Sequence, residues 1–167
     1  ASNYSCGRYA ANYFLNKGHK SVAFAGSTDM AISFKQRRNG FADALEEFKG
    51  KIKFYDIHKC GTKDCSMFDK KGLMKALGSD NPPTAIFCAN DVTACDVFDF
   101  LSKEGLKVPD DVSLMGFDKI EKDHPLLEFL NTFIVDKTVF AKTAVNLLME
   151  RISDPLGAKK HIEIACS

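Results

Sequence analysis

Short apolar runs typical of buried strands alternate along this chain with longer segments whose apolar residues recur at helical spacing. The predicted strands are residues 21–25, 52–57, 82–89, 108–117, 131–135 and 161–165. The predicted helices are residues 7–17, 33–48, 68–77, 92–104 and 137–152. Strands and helices that alternate through short turns predict an α/β fold, in which an open, mostly parallel sheet carries helices on both faces.

Residues 82–118 form the best-marked unit of this pattern, a strand, a helix and a second strand. Both strands end in polar side chains: Asn90 and Asp91 follow the first, and Asp118 follows the second. In an open parallel sheet, ligands bind outside the carboxyl ends of the strands. The sequence therefore predicts a ligand site at this edge.

Composition and charge exclude several classes of protein. Hydrophobic residues make up 45% of the 167 residues and charged residues 27%, as in one ordinary domain, or one domain with part of another. The 23 basic residues nearly balance the 22 acidic ones, which argues against an extended nucleic-acid surface. No apolar run approaches the roughly 18 residues of a membrane-spanning helix, and no signal peptide opens the chain. We therefore expect a cytoplasmic location, with no membrane partner.

The reactive residue types form no catalytic or metal-binding pattern. We predict that most of the six cysteines are free thiols of a cytosolic protein. His58, Cys60, Asp64 and Cys65 are close in sequence, but their spacing does not match the Cys-x-x-Cys knuckle of structural zinc. We predict no metal there, and a Cys60–Cys65 disulfide stays open as an alternative to free thiols. No nucleophile with its base and no phosphate-binding glycine loop occurs, so we predict neither an enzyme nor a cofactor.

Five polar residues are candidate ligand contacts, and each has a structural alternative. Arg37 interrupts the apolar stripe of its helix, either with its stem lying on the sheet or as a donor fork for hydroxyls or a carboxylate. We predict that Asp91 caps the helix that follows it while Asn90 faces the ligand. Asp118 is either a turn residue or an acceptor for ligand hydroxyls. Ser33, a predicted N-cap, lies one helical turn before Arg37 and would point the same way.

Several motifs follow one another in the order of a known family. They are a Gly-His entry to a strand (15–24), Arg-x-x-Gly-Phe (37–41), a Pro-Thr-Ala strand ending in Asn-Asp (83–91), Val-Pro-Asp-Asp-Val-Ser through Gly-Phe-Asp (105–118), and residues 130–148. With these motifs the chain resembles the effector-binding core of lactose/galactose-repressor (LacI/GalR) type bacterial transcription regulators. These regulators share the fold of the type I periplasmic sugar-binding proteins. The resemblance covers nearly the whole chain.

The resemblance implies two lobes joined by three crossing strands, with a small effector clamped between the lobes. Residues 20–122 and 160–167 would form the second, C-terminal lobe. Residues 1–19 would belong to the first lobe, and residues 123–159 would be a crossover strand and helix returning from it. The apolar stripes of helices 7–17 and 137–152 would then lack their usual cover, so we expect self-association, as a homodimer.

The resemblance also assigns roles. Arg37 matches the family's effector-contacting arginine, with Asn90 and Asp118 beside it, and an aromatic platform is expected near Met67 and Phe68. The expected function is effector sensing, with a sugar or related metabolite as ligand and DNA bound only through an N-terminal domain absent here. With half of the cleft missing, this chain alone is expected to bind effector weakly. The alternative is a periplasmic-type sugar-binding protein for transport, and a helix-turn-helix or a signal peptide upstream of Ala1 would discriminate the two.

Overall fold

The computed structural model describes residues 2–27, 29, 31–48, 50–59 and 67–167, with Lys59 described by its backbone alone. Five parallel strands form one sheet in the order β2-β1-β3-β4-β5. Their bounds are β1 (Ser21–Ser27), β2 (Lys53–Lys59), β3 (Ala85–Cys88), β4 (Ser113–Phe117) and β5 (Asn131–Phe133). The predicted α/β fold with a parallel sheet is confirmed.

Helices cover both faces of this sheet. The described helices are α1 (Asn3–Asn16), α2 (Ile32–Glu46), α3 (Lys70–Leu77), α4 (Asp91–Lys103) and α5 (Lys137–Ser153), with a 3-10 turn at Pro125–Glu128, and α1 to α4 are the ones that cover the sheet. Successive strand side chains point to opposite faces. Val22 and Phe24 therefore pack with α1 and α2, whereas Ala23 and Ala25 pack with α3 and α4. Both cores consist of fully apolar strand residues, as expected of a sheet buried on two sides.

Helices α1 and α2 cross at unusually short distance because glycine occupies the contact on both. A Cβ atom on Gly7 would clash with the carbonyl oxygen of Arg37, and one on Gly40 would clash with that of Tyr4. The glycine of the Arg-x-x-Gly-Phe motif is therefore a packing requirement. It brings the start of α1 against the turn of α2 that carries Arg37.

The expectation that the apolar side of the first helix lacks a cover is wrong. Ala10, Ala11 and Phe14 are buried against α2 and the sheet, and the ring of Phe14 lies edge-on to Phe41. The packing therefore places α1 in the same unit as the sheet. On the predicted helix 7–17, the aromatic side chain of Tyr9 stays largely exposed, at 61%.

The last part of the chain differs from the rest. β5 is an edge strand of the sheet, whereas no residue of α5 is buried. The predicted strand at residues 161–165 is wrong, since the tail forms only an isolated antiparallel bridge between Cys166 and Val135. Its backbone hydrogen bonds go to Ser2 and Ile134, which lie on two separate segments and so give no continuous ladder. The assignment of residues 123–159 to a segment returning from another lobe stays a prediction.

We expect the chain to self-associate through α5, because Phe140, Leu148 and Ile152 are each more than half exposed on this helix. Light scattering should give a mass above that of the 18.5 kDa monomer. Replacing Phe140 and Leu148 together by glutamate should return the monomer mass. Met74→Glu, at an exposed apolar position of α3, is the matched control and should not. A monomer in the unmodified chain at moderate concentration would contradict self-association.

Candidate functional site

The strand order changes direction between β1 and β3, and this point defines the candidate site. From β1 the chain moves outward to β2, and from β3 it moves to β4 on the other side. The segments leaving the two carboxyl ends therefore diverge, which opens a crevice at the switch point of a doubly wound sheet. Ala89 and Asn90, which directly follow β3, lie at this crevice.

Arg37 extends from α2 into this region and is buried, with 5% of its surface exposed. Its Nε donates to Oδ1 of Asn3 at 3.0 Å, and its Nη1 donates to the carbonyl oxygen of Ala89. Nη2 lies 3.9 Å from Oδ1 of Asp118. Arg37 is therefore a structured donor group at the carboxyl edge and does not lie on the surface.

Aromatic rings hold the plane of the guanidinium group. Cζ of Arg37 lies 3.3 Å from the ring centroid of Phe117 and 5.4 Å from that of Phe34. Such stacking is favourable because a delocalised cation faces the negative face of the ring. Burial lowers the pKa of Arg37, while the Asp118 carboxylate opposes this effect. An arginine stays protonated under these conditions, so the site contains a fixed positive charge.

Asp118 directly follows β4, and its backbone conformation turns the chain at the edge. Its φ is +106°, in the left-handed region that non-glycine residues rarely adopt, and its N–H donates to the carbonyl of Phe133 at 2.9 Å. The side chain is 39% exposed. Burial raises the pKa of Asp118, and the neighbouring Arg37 opposes this increase. A partly exposed carboxylate thus lies next to a buried guanidinium at the carboxyl edge of the sheet.

The prediction that Asp91 caps α4 is wrong, whereas Asn90 as a ligand contact stays a prediction. Asn90 is the N-cap of α4, and its Oδ1 accepts from the backbone N–H of Thr93 at 2.9 Å and from the Thr93 hydroxyl. Asp91 is fully buried and accepts from the Ile120 N–H at 3.0 Å and the Thr132 hydroxyl at 2.6 Å. Asp91 therefore fastens the loop after β4 to β5, and it is not exposed to ligand.

Gly116 makes room for this buried carboxylate. A Cβ atom at position 116 would clash with Oδ1 of Asp91. Each residue of the Gly-Phe-Asp motif therefore has a structural reason. Gly116 leaves room for Asp91, the ring of Phe117 stacks on the guanidinium of Arg37, and Asp118 lies at the carboxyl edge of the sheet.

Ser33 is not the N-cap of α2. That position is Ala31, and Ser33 lies half-buried in the first turn, one turn before Arg37. Its role as a ligand contact stays a prediction.

The family was determined by comparison with known proteins. The model of the family described as periplasmic binding protein-like domain matches residues 11–167, almost the entire chain. The chain belongs to this family. Its resemblance to the LacI/GalR regulators is confirmed by the relatives below.

Two curated repressors are 30% identical to the chain. One is the HTH-type transcriptional repressor PurR of Histophilus somni (strain 129Pt), in an alignment 173 residues long that covers 98% of this chain and 48% of that repressor. The other is the ribose operon repressor of Haemophilus influenzae, similar over 154 residues, 89% of this chain and 44% of that repressor. The chain thus spans about half the length of these relatives.

A solved structure supports the same conclusion. The putative transcriptional regulator LacI from Bacillus cereus subsp. cytotoxis is 27% identical, with a TM-score of 0.74 over 99% of this chain and 58% of that one. The periplasmic binding protein-like fold therefore accounts for the switch point and for the motifs that surround it.

Sequence reasoning missed three residues that shape the site of this family member. Asn3, Phe117 and Phe34 all contact the guanidinium of Arg37. Phe117 could have been found, because strand alternation places it on the α2 side of the sheet, opposite Gly116. Asn3 carried no signal of this kind, since only the crossing of α1 and α2 brings it near.

The expected aromatic platform near Met67 and Phe68 is not formed by Phe68. Its side chain is fully buried, and its ring lies edge-on to Phe100 in the core beneath α3 and α4. Met67 is half-buried. A cavity of about 470 Å³ lies beside the end of α5, where Arg151 and Lys160 line it, and Arg37 is not among its lining residues.

The remaining candidates are the cysteines and the residues considered for a metal site. Cys6, Cys88, Cys95 and Cys166 are free thiols, whereas Cys60, Asp64 and Cys65 lie outside the described residues. Within the described ranges, no cluster of three or more histidine, cysteine or acidic side chains could hold a metal ion. None of the described helices has the length and apolar character needed to cross a membrane.

Proposed function

We propose that this chain is the effector-sensing domain of a bacterial LacI-type transcription regulator. A small molecule would bind at the crevice between Arg37 and Asp118 and change DNA binding by a helix-turn-helix part outside residues 1–167, in the cytoplasm. The observation that carries the proposal is the buried, ring-stacked guanidinium whose Nη2 lies 3.9 Å from a partly exposed carboxylate at the carboxyl edge of the sheet. The repressor names of the relatives support the regulatory half of the proposal.

The donor and acceptor at the site favour a hydroxyl-bearing ligand such as a sugar. A hydroxyl group can donate to the Asp118 carboxylate and accept from Nη2 of Arg37 at the same time. Nε and Nη1 of Arg37 each already donate to one acceptor, Asn3 and Ala89, and Nη2 is the nitrogen that faces Asp118. A negatively charged ligand would also be repelled by the nearby Asp118 carboxylate. The name of one relative, the ribose operon repressor, makes D-ribose a reasonable first probe.

Regulation requires that the effector bind two states of the intact protein with different affinity. In the proposed arrangement the crevice is one wall of the site, and a second lobe outside this chain supplies the other. The transport-type binding protein is the alternative within the same family. The coding sequence upstream of Ala1 decides between them, since a helix-turn-helix there supports the regulator and a signal peptide contradicts it.

The proposal is tested by Asp118→Asn in the full-length protein, with a thermal-shift screen of neutral sugars that includes D-ribose. The unmodified protein should gain stability with a sugar ligand. The variant should lose most of this gain, because an amide cannot replace both acceptor oxygens of the carboxylate. The matched control is Asp110→Asn, at an exposed loop position before β4. A full ligand-induced shift in the Asp118 variant would contradict the proposed site.

Asp118 also gives the unmodified protein a predicted pH dependence of stability in the absence of ligand. Because burial raises the pKa of Asp118 above its ordinary value of 3.8, the folded state binds more protons than the unfolded state between 3.8 and the raised pKa. The free energy of unfolding therefore falls as the pH rises through this window, and the cost is complete above it. Asp118→Asn removes this dependence and should not lower the melting temperature at pH 7. A variant that loses ligand but keeps stability would separate binding from folding.

A further inference from the structure

Asn3 is the first residue of α1, yet its side chain contacts the buried guanidinium of Arg37. Its Oδ1 accepts from Nε of Arg37 at 3.0 Å. Its Nδ2 donates to Oε1 of Gln36 at 3.3 Å, and this second bond orients the amide so that the oxygen faces Arg37. A chain of three side chains therefore runs from Gln36 through Asn3 to Arg37.

The guanidinium of Arg37 is held by two kinds of contact, ring stacking and hydrogen bonds, which restrict different motions. Stacking on Phe117 fixes the plane of the guanidinium but leaves it free to rotate within that plane. The two acceptors, Oδ1 of Asn3 and the carbonyl of Ala89, fix the rotation because each engages a different nitrogen. The remaining nitrogen, Nη2, is then turned toward Asp118. Without the Asn3 oxygen, only one of the two in-plane constraints remains.

Asn3 also lies where the two ends of the chain meet. The N–H of Ser2 donates to the carbonyl of Ile164 at 3.1 Å, and the Ser2 hydroxyl donates to Glu163 at 3.2 Å. A shift of this segment relative to the sheet would carry the Asn3 oxygen away from Nε. The direction of Nη2 therefore depends on the seating of the segment that enters α1.

We propose that Asn3 is a positioning residue for Arg37, which couples the segment entering α1 to the ligand site. The ligand consequence rests on the proposed function, whereas the effect on Arg37 does not. Asn3 touches no ligand in this proposal and acts only by setting the direction of the free guanidinium nitrogen.

The positioning is tested by the Nε–H signals of arginine in ¹⁵N NMR spectra of the 167-residue chain. Only four arginines occur in the sequence, so these signals are few. In the unmodified chain the Nε–H of Arg37 should be resolved and slow to exchange, because the group is buried and bonded. In Asn3→Ala its shift should change and its exchange with solvent should become at least about tenfold faster. Asn3→Asp, which keeps an acceptor oxygen, should restore the slow exchange.

Tyr4→Phe is the matched control. It removes a bond between the Tyr4 hydroxyl and Asp43 in the same α1–α2 contact, but not one to the guanidinium. Its Arg37 signal should match that of the unmodified chain. An unchanged Nε–H shift and exchange rate in Asn3→Ala would overturn the proposal, and so would an equal change in Tyr4→Phe.

The ligand consequence is tested in the full-length protein with D-ribose as the probe, measured by calorimetry. Asn3→Ala should weaken binding about tenfold, a typical effect of losing one hydrogen bond to a charged group, and Asn3→Asp should recover most of it. If the unmodified protein does not bind D-ribose, the sugar part of the proposed function fails for this probe. The NMR result alone then decides the role of Asn3.

Discussion

Under the proposed function, replacing Arg37 by alanine in the full-length protein is expected to abolish the response to effector while operator binding is retained. The substitution removes both the donor that faces Asp118 and the positive charge that balances this carboxylate. Loss of a charged hydrogen bond in a buried site corresponds to an affinity decrease of about a hundredfold. Effector titration of operator binding, by fluorescence anisotropy of labelled DNA, is the measurement.

The same variant should also be less stable, by about 2–3 kcal/mol, because the Ala89 carbonyl and Asn3 lose a buried charged partner. This loss must be separated from the loss of function. Arg37→Lys keeps the charge but not the planar fork, and we expect it to recover folding more than effector response.

Arg38→Ala is the matched control on the same helix. Arg38 is partly exposed and pairs with Asp56 on β2, away from the crevice. It should leave the effector response unchanged and cost less than about 1 kcal/mol, as surface ion pairs usually do. A response to effector that persists in Arg37→Ala would contradict the assignment of Arg37 to the ligand site.

How far the sequence predicts this site depends on the kind of contact. The strands and their edge were predictable because alternation and helical spacing are local patterns, and Asp118 was found as the polar residue that ends a strand. Periodicity marked Arg37 only as an interruption of an apolar stripe, which left open whether its stem lies on the sheet or its guanidinium binds ligand. The Arg-x-x-Gly-Phe motif favoured the second alternative. The glycine in that motif is required because a Cβ atom at Gly40 would clash with the carbonyl oxygen of Tyr4, where α1 crosses α2.

The wrong assignment of the helix cap to Asp91 shows what local patterns cannot resolve. Both residue types cap helices well, so the register at the strand–helix junction decides which of them is buried. The partners that make Asp91 the buried residue, Ile120 and Thr132, are 29 and 41 residues away in sequence. The expectation that α1 lacks a cover was wrong for a related reason. It rested on the family resemblance, whereas the contacts that cover this helix are made with α2.

Asp91→Ala is expected to destabilise the chain far more than Asn90→Ala, although the two residues are neighbours. Removing the Asp91 carboxylate leaves the Ile120 N–H and the Thr132 hydroxyl without their buried acceptor. Each unsatisfied buried group costs about 1–3 kcal/mol, so we expect a loss of about 3 kcal/mol and a melting temperature lower by about 10 °C. Asn90→Ala removes a helix cap and should cost about 1 kcal/mol.

Calorimetric unfolding of the two variants side by side tests this order, and equal losses would show that Asp91 is no more than a cap. The consequence for binding follows from the position of the loop. Asp91 holds the Ile120 N–H and β5, and Asp118 lies two residues before Ile120 with a left-handed backbone that needs this support. Under conditions where the variant is folded, Asp91→Ala should therefore weaken effector binding although Asp91 itself touches no ligand. Asp91→Asn keeps one acceptor oxygen. Its loss of stability and its loss of effector binding should both lie between those of the unmodified protein and those of Asp91→Ala.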